Sequence, residues 1–179
     1  VEEFGQRIRL LRNHGMAAQY RHEIVGGNFR IDALQAALLR IKLRKLDEAT
    51  EARTRNAGLY RELFLASGLA DESAEGSGAF GLPIVSQNRH IFNQFTLRIR
   101  DGKRDALREH LGSKNIGTEI YYPVPLHLQE CFADLGHQRG EFPHAERAAD
   151  ETIAIPIFPE LSEDEIRYVA KQIIAFFGK

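Results

Sequence analysis

The sequence predicts an α/β fold in which a long helix leads into a small α+β domain. Apolar residues recur at three- to four-residue spacing from about residue 31 to residue 65, which is typical of an amphipathic helix. Beyond residue 81, short segments of alternating character predict strands, and helical patterns separate them. Helices packed on one face of a small antiparallel or mixed sheet would bury the apolar sides of both kinds of element.

The first thirty residues are predicted to form one helix and then an irregular segment. A helix over residues 2–11 would place Phe4, Ile8 and Leu11 on one side, and Gly15 is a natural residue to end it. No capping residue precedes this helix, so we expect that a longer protein begins upstream of it.

The long helix is predicted to begin at a capping box formed by Asp32 and, three residues later, Gln35. Its pattern is much longer than the usual globular helix of about 8 to 20 residues. A kink, or a helix that spans two domains, is therefore expected. Residues 67–81 are rich in Ser, Gly, Ala and acidic residues, and we expect them to form a loop or linker.

The remaining residues predict the small domain. Its expected elements are strands over 91–99, 118–122 and 153–157, and helices over 103–112, over 143–151 and after residue 162. Ser162 and Glu165 have the spacing of a second capping box, so the closing helix should begin directly after Ser162.

The composition excludes several classes of function. The chain has 179 residues with 24 Lys and Arg against 25 Asp and Glu. The resulting net charge of −1 gives no electrostatic basis for nonspecific binding to nucleic acid or to an anionic membrane. No apolar run reaches the roughly 20 residues that a membrane-spanning helix needs. The seven histidines lack the tight spacing of a structural zinc site, so no metal is expected.

Cys131 is the single cysteine of the chain. One cysteine excludes an internal disulfide framework and fits a reducing compartment, so we expect a cytoplasmic protein. Apolar residues flank Cys131 in the sequence and no base is evident beside it, which favours a buried thiol over a nucleophile.

The segment Gly26-Gly27-Asn28-Phe29-Arg30 is a candidate anion-binding loop. Paired glycines allow a backbone to approach a ligand closely, and Asn28 and Arg30 offer an amide and a guanidinium fork suited to phosphate or carboxylate. The helix that follows directs its unpaired N–H groups toward the same place. An ordinary loop before a capped helix is the alternative, and residue types alone favour that simpler interpretation.

The segment Tyr121-Tyr122-Pro123-Val124-Pro125-Leu126-His127 is a second candidate. Its two prolines fix a stiff extended turn and hold Tyr122 and His127 in defined directions. Such a segment can line a cleft in which Tyr or His contacts a sugar or a phosphate. A rigid connection with core aromatic residues is an equally good interpretation of the composition.

Five stretches, taken in order, resemble the C-terminal half of the DegT/DnrJ/StrS family of sugar aminotransferases. The stretches cover residues 8–15, 27–37, 90–95, 117–129 and 135–161. They include Arg-Asn-His-Gly at 12–15, Gly-Asn-Phe-Arg-Ile-Asp at 27–32 and Tyr-Tyr-Pro-Val-Pro-Leu-His at 121–127. The resemblance covers essentially the whole chain in the family's own order.

The resemblance implies an enzyme that uses pyridoxal 5′-phosphate (PLP) to move an amino group, usually from glutamate, onto a keto sugar attached to a nucleotide. It implies the C-terminal segment of the type I aminotransferase fold. Residues 1–30 would then end the large cofactor domain, 31–66 would form the connecting helix, 67–81 a linker, and 82–179 the small domain. It also implies a homodimer with shared active sites, and exposed apolar surface on the first helix and at the start of the long helix.

The same resemblance implies roles for individual residues of the N-terminal part. Asn28 would reach into the neighbouring subunit's active site and bind the cofactor phosphate. Arg30 would lie close by, near phosphate or substrate. His14 and Tyr20 would border the site.

In the small domain, the resemblance implies that Tyr122 and His127 line the sugar pocket. The family often has His where this chain has Tyr121, so no substrate role is assigned to that position. Tyr122 and His127 complete the predicted set of binding residues, and no catalytic residue is predicted within the chain.

The family's Schiff-base lysine precedes the Arg-Asn-His-Gly stretch, and no lysine of this chain lies at that position. Transamination needs such a lysine to hold PLP as an imine and to carry the proton. We therefore expect the chain alone to be inactive and not to retain PLP. Two alternatives stay open, a non-catalytic interaction or regulatory module and a fragment of a family member that lacks the lysine and dehydrates sugars with PLP.

Overall fold

The structure, a computed structural model, describes residues 2–73, 76–86 and 89–178 and divides the chain into two compact units. The first unit extends to Leu46, and the second begins at Asp47. The boundary falls within the segment that the sequence predicts as one long helix.

The first unit contains two helices and a hairpin. Its elements are α1 (Glu2–Arg12), the antiparallel strands β1 (Met16–Ala18) and β2 (Arg21–His22), and α2 (Ala33–Leu43). Asp32 caps α2, because its side chain accepts a hydrogen bond of 2.8 Å from the N–H of Leu34. The predicted helix start is confirmed, although the return bond from Gln35 that would complete a capping box is absent from the described residues.

The predicted long helix is present as two helices. α2 ends at Leu43, and α3 (Leu46–Ala66) begins after a two-residue turn. The N–H of Lys45 donates to the carbonyl of Lys42, 3.0 Å away and only three residues back, so the regular four-residue spacing of α-helical bonds is interrupted. The segment predicted as one long helix is therefore interrupted at residues 44–45.

Large apolar side chains cover the outside of the first unit, as the sequence predicts. On α1, Phe4 is 69% exposed and Ile8 is 48% exposed. On α2, the side chains that are more than half exposed are those of Leu34, Leu38, Leu39, Ile41 and Leu43. A helix that is apolar on all sides is normally buried, so this surface is suited to packing against further protein.

The second unit is built on a four-stranded mixed sheet. The strands β3 (Ala70–Asp71), β4 (Phe80–Gly81), β5 (Phe95–Ile99) and β6 (Thr152–Ile155) lie in sequence order. β3 and β4 are parallel, whereas the β4–β5 and β5–β6 pairs are antiparallel. The helices are α3, α4 (Arg104–Ser113), α5 (Pro143–Glu151) and α6 (Glu163–Phe177), with 3-10 turns at Leu126–Leu128 and Glu130–Leu135. The predicted α/β fold with a small mixed sheet is confirmed. Among the described residues, no helix combines the length and the apolarity that crossing a membrane requires.

β5 lies at the centre of the core. Its inward-facing residues Phe95, Leu97 and Ile99 are fully buried, while the residues between them are partly exposed, which confirms the predicted alternation. Tyr60 of α3 packs against this strand with its ring centroid 5.3 Å from that of Phe95, and Phe64 stacks on Tyr60 at 5.7 Å.

The closing helix α6 begins with the predicted capping box. The Ser162 hydroxyl accepts a bond of 3.3 Å from the N–H of Glu165, and the Glu165 carboxylate accepts one of 2.8 Å from the N–H of Ser162. The helix buries Ile166 and Ile173 in the core that the sheet and α3 share.

The strand predicted over 91–99 begins only at Phe95. The N–H of Phe92 donates to Nδ1 of His90, 3.0 Å away, so a local turn satisfies this N–H in place of a neighbouring strand. Alternating sequence therefore marks the strand, but it overestimates its length.

The strand predicted over 118–122 is reduced to one bridge between Glu119 and Ala154. Glu119 and Ala154 exchange both backbone hydrogen bonds at this bridge, so the N–H of Ile120 points away from β6, and it donates to the side chain of Glu119 at 3.0 Å. The sequence pattern therefore locates the contact with β6 but overestimates its length.

Two further expectations need correction. The segment 67–81, expected to be a loop or linker, has neither helix nor strand at 72–73 and 76–79, but it carries β3 near its start and β4 at its end. The sequence did not predict these strands, because a two-residue strand is too short to give a recognisable pattern. Cys131 was expected to be buried but is exposed in the second 3-10 turn. Apolar neighbours in the sequence therefore did not indicate burial here.

Asp71 and Arg100 hold the loop after β3 against the sheet. Nη1 of Arg100 donates to Oδ2 of Asp71 at 2.8 Å, and Nη2 donates to Oδ1 at 3.0 Å. The same carboxylate accepts the N–H groups of Ser73 and Gly78. The Arg100 bonds, together with these backbone donors, lower the pKa of Asp71 from 3.8 to about 2.

Replacing Asp71 by Asn should lower the free energy of unfolding by about 1.5 to 3 kcal/mol near neutral pH, because Arg100 loses its charged partner. Since the folded-state pKa is depressed, the wild-type contribution is complete above the ordinary pKa of 3.8 and is lost as the pH falls toward about 2. Urea unfolding of both proteins across this range should show a stability difference that closes in acid. Asp101→Asn, in the neighbouring exposed turn, is the control, and a difference independent of pH would contradict the assignment.

Candidate functional site

The candidate anion-binding loop lies alongside the end of α1. Three backbone hydrogen bonds join the two segments: Gly27 N–H to Leu11 O (3.0 Å), His14 N–H to Gly27 O (2.9 Å) and Phe29 N–H to Arg12 O (3.0 Å). Between them, Asn13 and Asn28 face each other in an isolated antiparallel bridge. Residues opposite each other in such a pair project to the same face, so the two amide side chains are neighbours.

Two glycines permit this contact. Gly15 has a φ of +69°, and a Cβ on it would lie 1.7 Å from the carbonyl oxygen of Ile24. A Cβ on Gly26 would lie 2.5 Å from the backbone nitrogen of Gly15 and 2.6 Å from the carbonyl oxygen of Leu11. At these two positions, the absence of a side chain allows backbone to approach backbone.

Arg30 joins the two asparagines. Its Nε donates to Oδ1 of Asn28 at 3.0 Å, and its Nη1 donates to Oδ1 of Asn13 at 3.0 Å. Both amide oxygens are thereby used, and neither NH2 group has a hydrogen bond within the described residues. We call these three residues the Asn13–Asn28–Arg30 cluster. The groups that the cluster can still offer a ligand are hydrogen-bond donors. Such a set fits an anion such as the phosphate of PLP.

The cluster lies at the surface of the first unit. Asn28 and Arg30 are exposed, and Asn13 is half-buried. His14 follows Asn13 directly and lines a shallow cleft of about 520 Å³ together with His22, whose Nδ1 donates to the carbonyl of His14 at 2.9 Å. Tyr20 lies in the turn of the hairpin with 85% of its surface exposed and is not among the residues that line this cleft.

In the second unit, Tyr122 and His127 line different cavities. Tyr122 is 74% exposed and lies on a cleft of about 310 Å³ beside α5. His127 lines an apolar cavity of about 440 Å³ together with Phe132 and Phe142. Their joint role in one sugar pocket therefore stays a prediction.

His127 has a partner within its own unit. Its Nε2 lies 2.9 Å from Oε1 of Glu146, with the two side chains only 8% and 11% exposed. The N–H of Gly140 donates to the same oxygen at 2.7 Å. The hydrogen bond from Gly140 and, to a lesser extent, that from His127 hold the pKa of Glu146 below its usual value. The pair joins the proline-containing segment to α5, which gives His127 a structural role in addition to any contact with a ligand.

Sequence reasoning did not identify Asn13 or Glu146. Asn13 lies in the Arg-Asn-His-Gly stretch at 12–15, but nothing local indicates that its partner is Arg30, 17 residues later. Glu146 likewise pairs with a residue 19 positions away. Within the described ranges, no three His, Cys, Asp or Glu side chains are placed to share a metal ion.

The chain is similar in sequence to known proteins over almost its whole length. The model of the DegT/DnrJ/EryC1/StrS aminotransferase family matches residues 2–174. A Geobacillus stearothermophilus protein named pleiotropic regulatory protein is 40% identical over 98% of this chain. The dTDP-3-amino-3,4,6-trideoxy-alpha-D-glucose transaminase of Streptomyces venezuelae is 37% identical over 91% of it. These matches cover 45% and 40% of the two relatives, so the chain spans less than half of their length.

A solved structure has the same fold. The crystal structure of S. venezuelae DesV in complex with a ketimine intermediate matches with a TM-score of 0.84 and 33% identity. The match covers 97% of this chain and 44% of the DesV chain, and the matched portion of such relatives is C-terminal. The fold predicted from the resemblance is confirmed.

Replacing Gly15 by Ala should open the contact between the loop and α1. Alanine at this positive φ costs about 1 to 2 kcal/mol, and the clash with Ile24 adds to that figure. Trypsin cleavage after Arg21 or Arg30 should then become faster than in the wild type. Gly58→Ala is the matched control: a Cβ there meets no atom within 4 Å on an exposed face of α3, so this change should leave cleavage unchanged. Equal cleavage of Gly15→Ala and wild type would contradict the role given to Gly15.

Proposed function

Because the chain belongs to the DegT/DnrJ/EryC1/StrS aminotransferase family, we propose that it is the C-terminal part of a PLP-dependent enzyme that transfers an amino group from glutamate to a nucleotide-linked keto sugar. The observation that carries this substrate class is the 37% identity with a transaminase named for a dTDP-linked amino sugar. The 33% identical structure with a bound ketimine supports PLP as the cofactor.

PLP would supply the electron sink that amino-group transfer needs. Asn28 would donate its amide NH2 to the PLP phosphate, and the guanidinium of Arg30 would add a charge-assisted donor beside it. The orientation of both side chains by the hydrogen bonds of the Asn13–Asn28–Arg30 cluster supports this assignment. Asn28 would serve the active site of a neighbouring subunit, so the proposal includes a homodimer.

The other predicted residues would serve the substrate. His14 and Tyr20 would border the phosphate site, and Tyr122, whose side chain is largely exposed, would contact the sugar. His127 would present its ring to the sugar pocket while Nε2 stays paired with Glu146. We place the complete enzyme in the cytoplasm, in keeping with the single cysteine of the chain.

In the proposed enzyme, this chain supplies binding residues, and the preceding N-terminal part supplies the Schiff-base lysine. Its six lysines are Lys42, Lys45, Lys103, Lys114, Lys171 and Lys179. The family's lysine belongs to the part that precedes the Arg-Asn-His-Gly stretch. The exposed apolar faces of α1 and α2 support packing against that part and against a second subunit.

A regulatory function is the second candidate. The observation that favours it is the name of the Geobacillus stearothermophilus relative, pleiotropic regulatory protein. A sugar dehydratase of the same family is distinguished by the residue at the position of the lysine, which lies outside this chain.

The isolated chain should not transfer an amino group from glutamate to dTDP- or UDP-linked keto sugars, since it has no lysine to carry the proton. Formation of 2-oxoglutarate measures the transfer. The positive control is the same chain joined to the N-terminal half of the enzyme, which should be active. Turnover by the isolated chain would contradict the proposed division, and an inactive complete protein that binds PLP and a protein partner would favour regulation.

Replacing Asn28 by Ala in the complete enzyme should weaken PLP binding by about 1.5 to 3 kcal/mol, because a charge-assisted phosphate contact is lost. A titration of the apoenzyme followed by PLP absorbance measures the affinity. Gln19→Ala, which removes an exposed amide from the hairpin turn, is the control and should leave the affinity unchanged. Unaltered PLP affinity in Asn28→Ala would reject the phosphate role of this residue.

A further inference from the structure

We infer that Asn13 is a positioning residue for the phosphate site: by holding the guanidinium of Arg30, it fixes the direction in which Arg30 and Asn28 present their donors. The inference rests on the proposed function, because the anion concerned is the phosphate of PLP. It gives a role to a residue that would not itself need to contact the cofactor.

The Arg30 guanidinium is held at two of its nitrogen atoms. Nε donates to Oδ1 of Asn28 and Nη1 donates to Oδ1 of Asn13, each at 3.0 Å. Because the guanidinium is planar and rigid, two fixed points determine the direction of its remaining N–H bonds. With the Asn13 contact removed, the Asn28 contact would be the one that remains.

Asn13 is the rigid end of this arrangement. Its own N–H donates to the carbonyl of Leu10 at 3.1 Å, its carbonyl accepts the N–H of Met16 at 3.0 Å, and its side chain is half-buried. Asn28 and Arg30, in contrast, are exposed. A long exposed arginine loses rotamer freedom when it binds an anion, and a prior hydrogen bond to a fixed partner reduces that loss.

The same contact determines the orientation of both amides. Each Oδ1 accepts from a cation that has no acceptor of its own, so each amide directs its oxygen to Arg30 and leaves its NH2 for another partner. In the absence of Arg30, either amide could rotate and present its oxygen to the phosphate, which would repel it. Asn13, Arg30 and Asn28 therefore act as one unit in which the effect of one residue depends on the others.

The test compares the affinity of the apoenzyme that carries this chain for PLP and for pyridoxal, which lacks the phosphate. The ratio of the two affinities measures the contribution of the phosphate alone. Asn13→Ala should lower this ratio by about 2- to 10-fold, a modest loss because the bond that it removes positions Arg30 and does not itself contact the phosphate, and should leave pyridoxal binding unchanged. Arg30→Lys, which keeps the charge but not the fork, should also lower the ratio, and Asn13→Ala should add little in that background.

Matched variants keep the result interpretable. Gln19→Ala removes an exposed amide from the same unit and should leave the ratio at its wild-type value. Asn13→Ser, a smaller polar residue, replaces Asn13→Ala if alanine changes the melting temperature of the apoenzyme.

Four outcomes would overturn the inference. An unchanged ratio in the Asn13 variants, with a lowered ratio in Asn28→Ala, would remove Asn13 and leave the proposed function intact. Equal losses for PLP and pyridoxal would mean that Asn13 serves the fold alone. Independent, additive losses from Asn13→Ala and Arg30→Lys would mean that Asn13 contacts the phosphate directly. A wild-type enzyme that binds PLP no better than pyridoxal would defeat both the inference and the proposed phosphate site.

Discussion

The candidate site of the first unit depends on one backbone contact, the approach of the Gly26 region to the end of α1. Asn13 and Asn28 are 15 positions apart and become neighbours only because the bridge forms between them. The bridge requires that Gly15 and Gly26 carry no Cβ, since either would meet backbone atoms at 1.7 to 2.5 Å. The chemical character of the loop therefore comes from packing of the chain on itself, and the donors of Asn28 and Arg30 are a consequence of that packing.

In the second unit, a buried arginine of α4 contacts the junction of α5 and β6, and α5 carries the hydrogen-bond partner of His127. Arg104, at the start of α4, is 8% exposed and donates to the carbonyl oxygens of Ala149 (2.8 Å) and Thr152 (3.2 Å). These carbonyls belong to the end of α5 and the start of β6, where a helix dipole favours a cation. α5 in turn carries Glu146, the partner of His127. The hydrogen bonds of Arg104 hold the end of α5 next to β6, and α5 in turn holds His127 through Glu146.

The sequence alone predicted the features that depend on local pattern. The predicted starts of two helices, at the capping residues Asp32 and Ser162, were correct, and so was the predicted inward face of β5. Caps and alternation are set by residues close together in the chain. The strand predicted over 118–122 was too long, because the pairing with β6 is limited to the Glu119–Ala154 bridge and a short apolar pattern does not show how far a pairing extends. Among the candidate site residues, Asn28 was recognised by its loop and by resemblance, whereas Asn13 required knowledge of the bridge.

The donor cluster and the apolar surface of the first unit are two requirements of one proposed site. An exposed set of donors binds a phosphate weakly, since water and salt screen its charge. The same donors act far more strongly when protein covers them and excludes water. α1 ends beside the cluster and α2 begins just after Arg30, and both helices expose large apolar side chains. Burial of these helices against further protein would therefore bring a covering surface to the elements that flank the cluster, and phosphate affinity would depend on assembly as well as on Asn28 and Arg30.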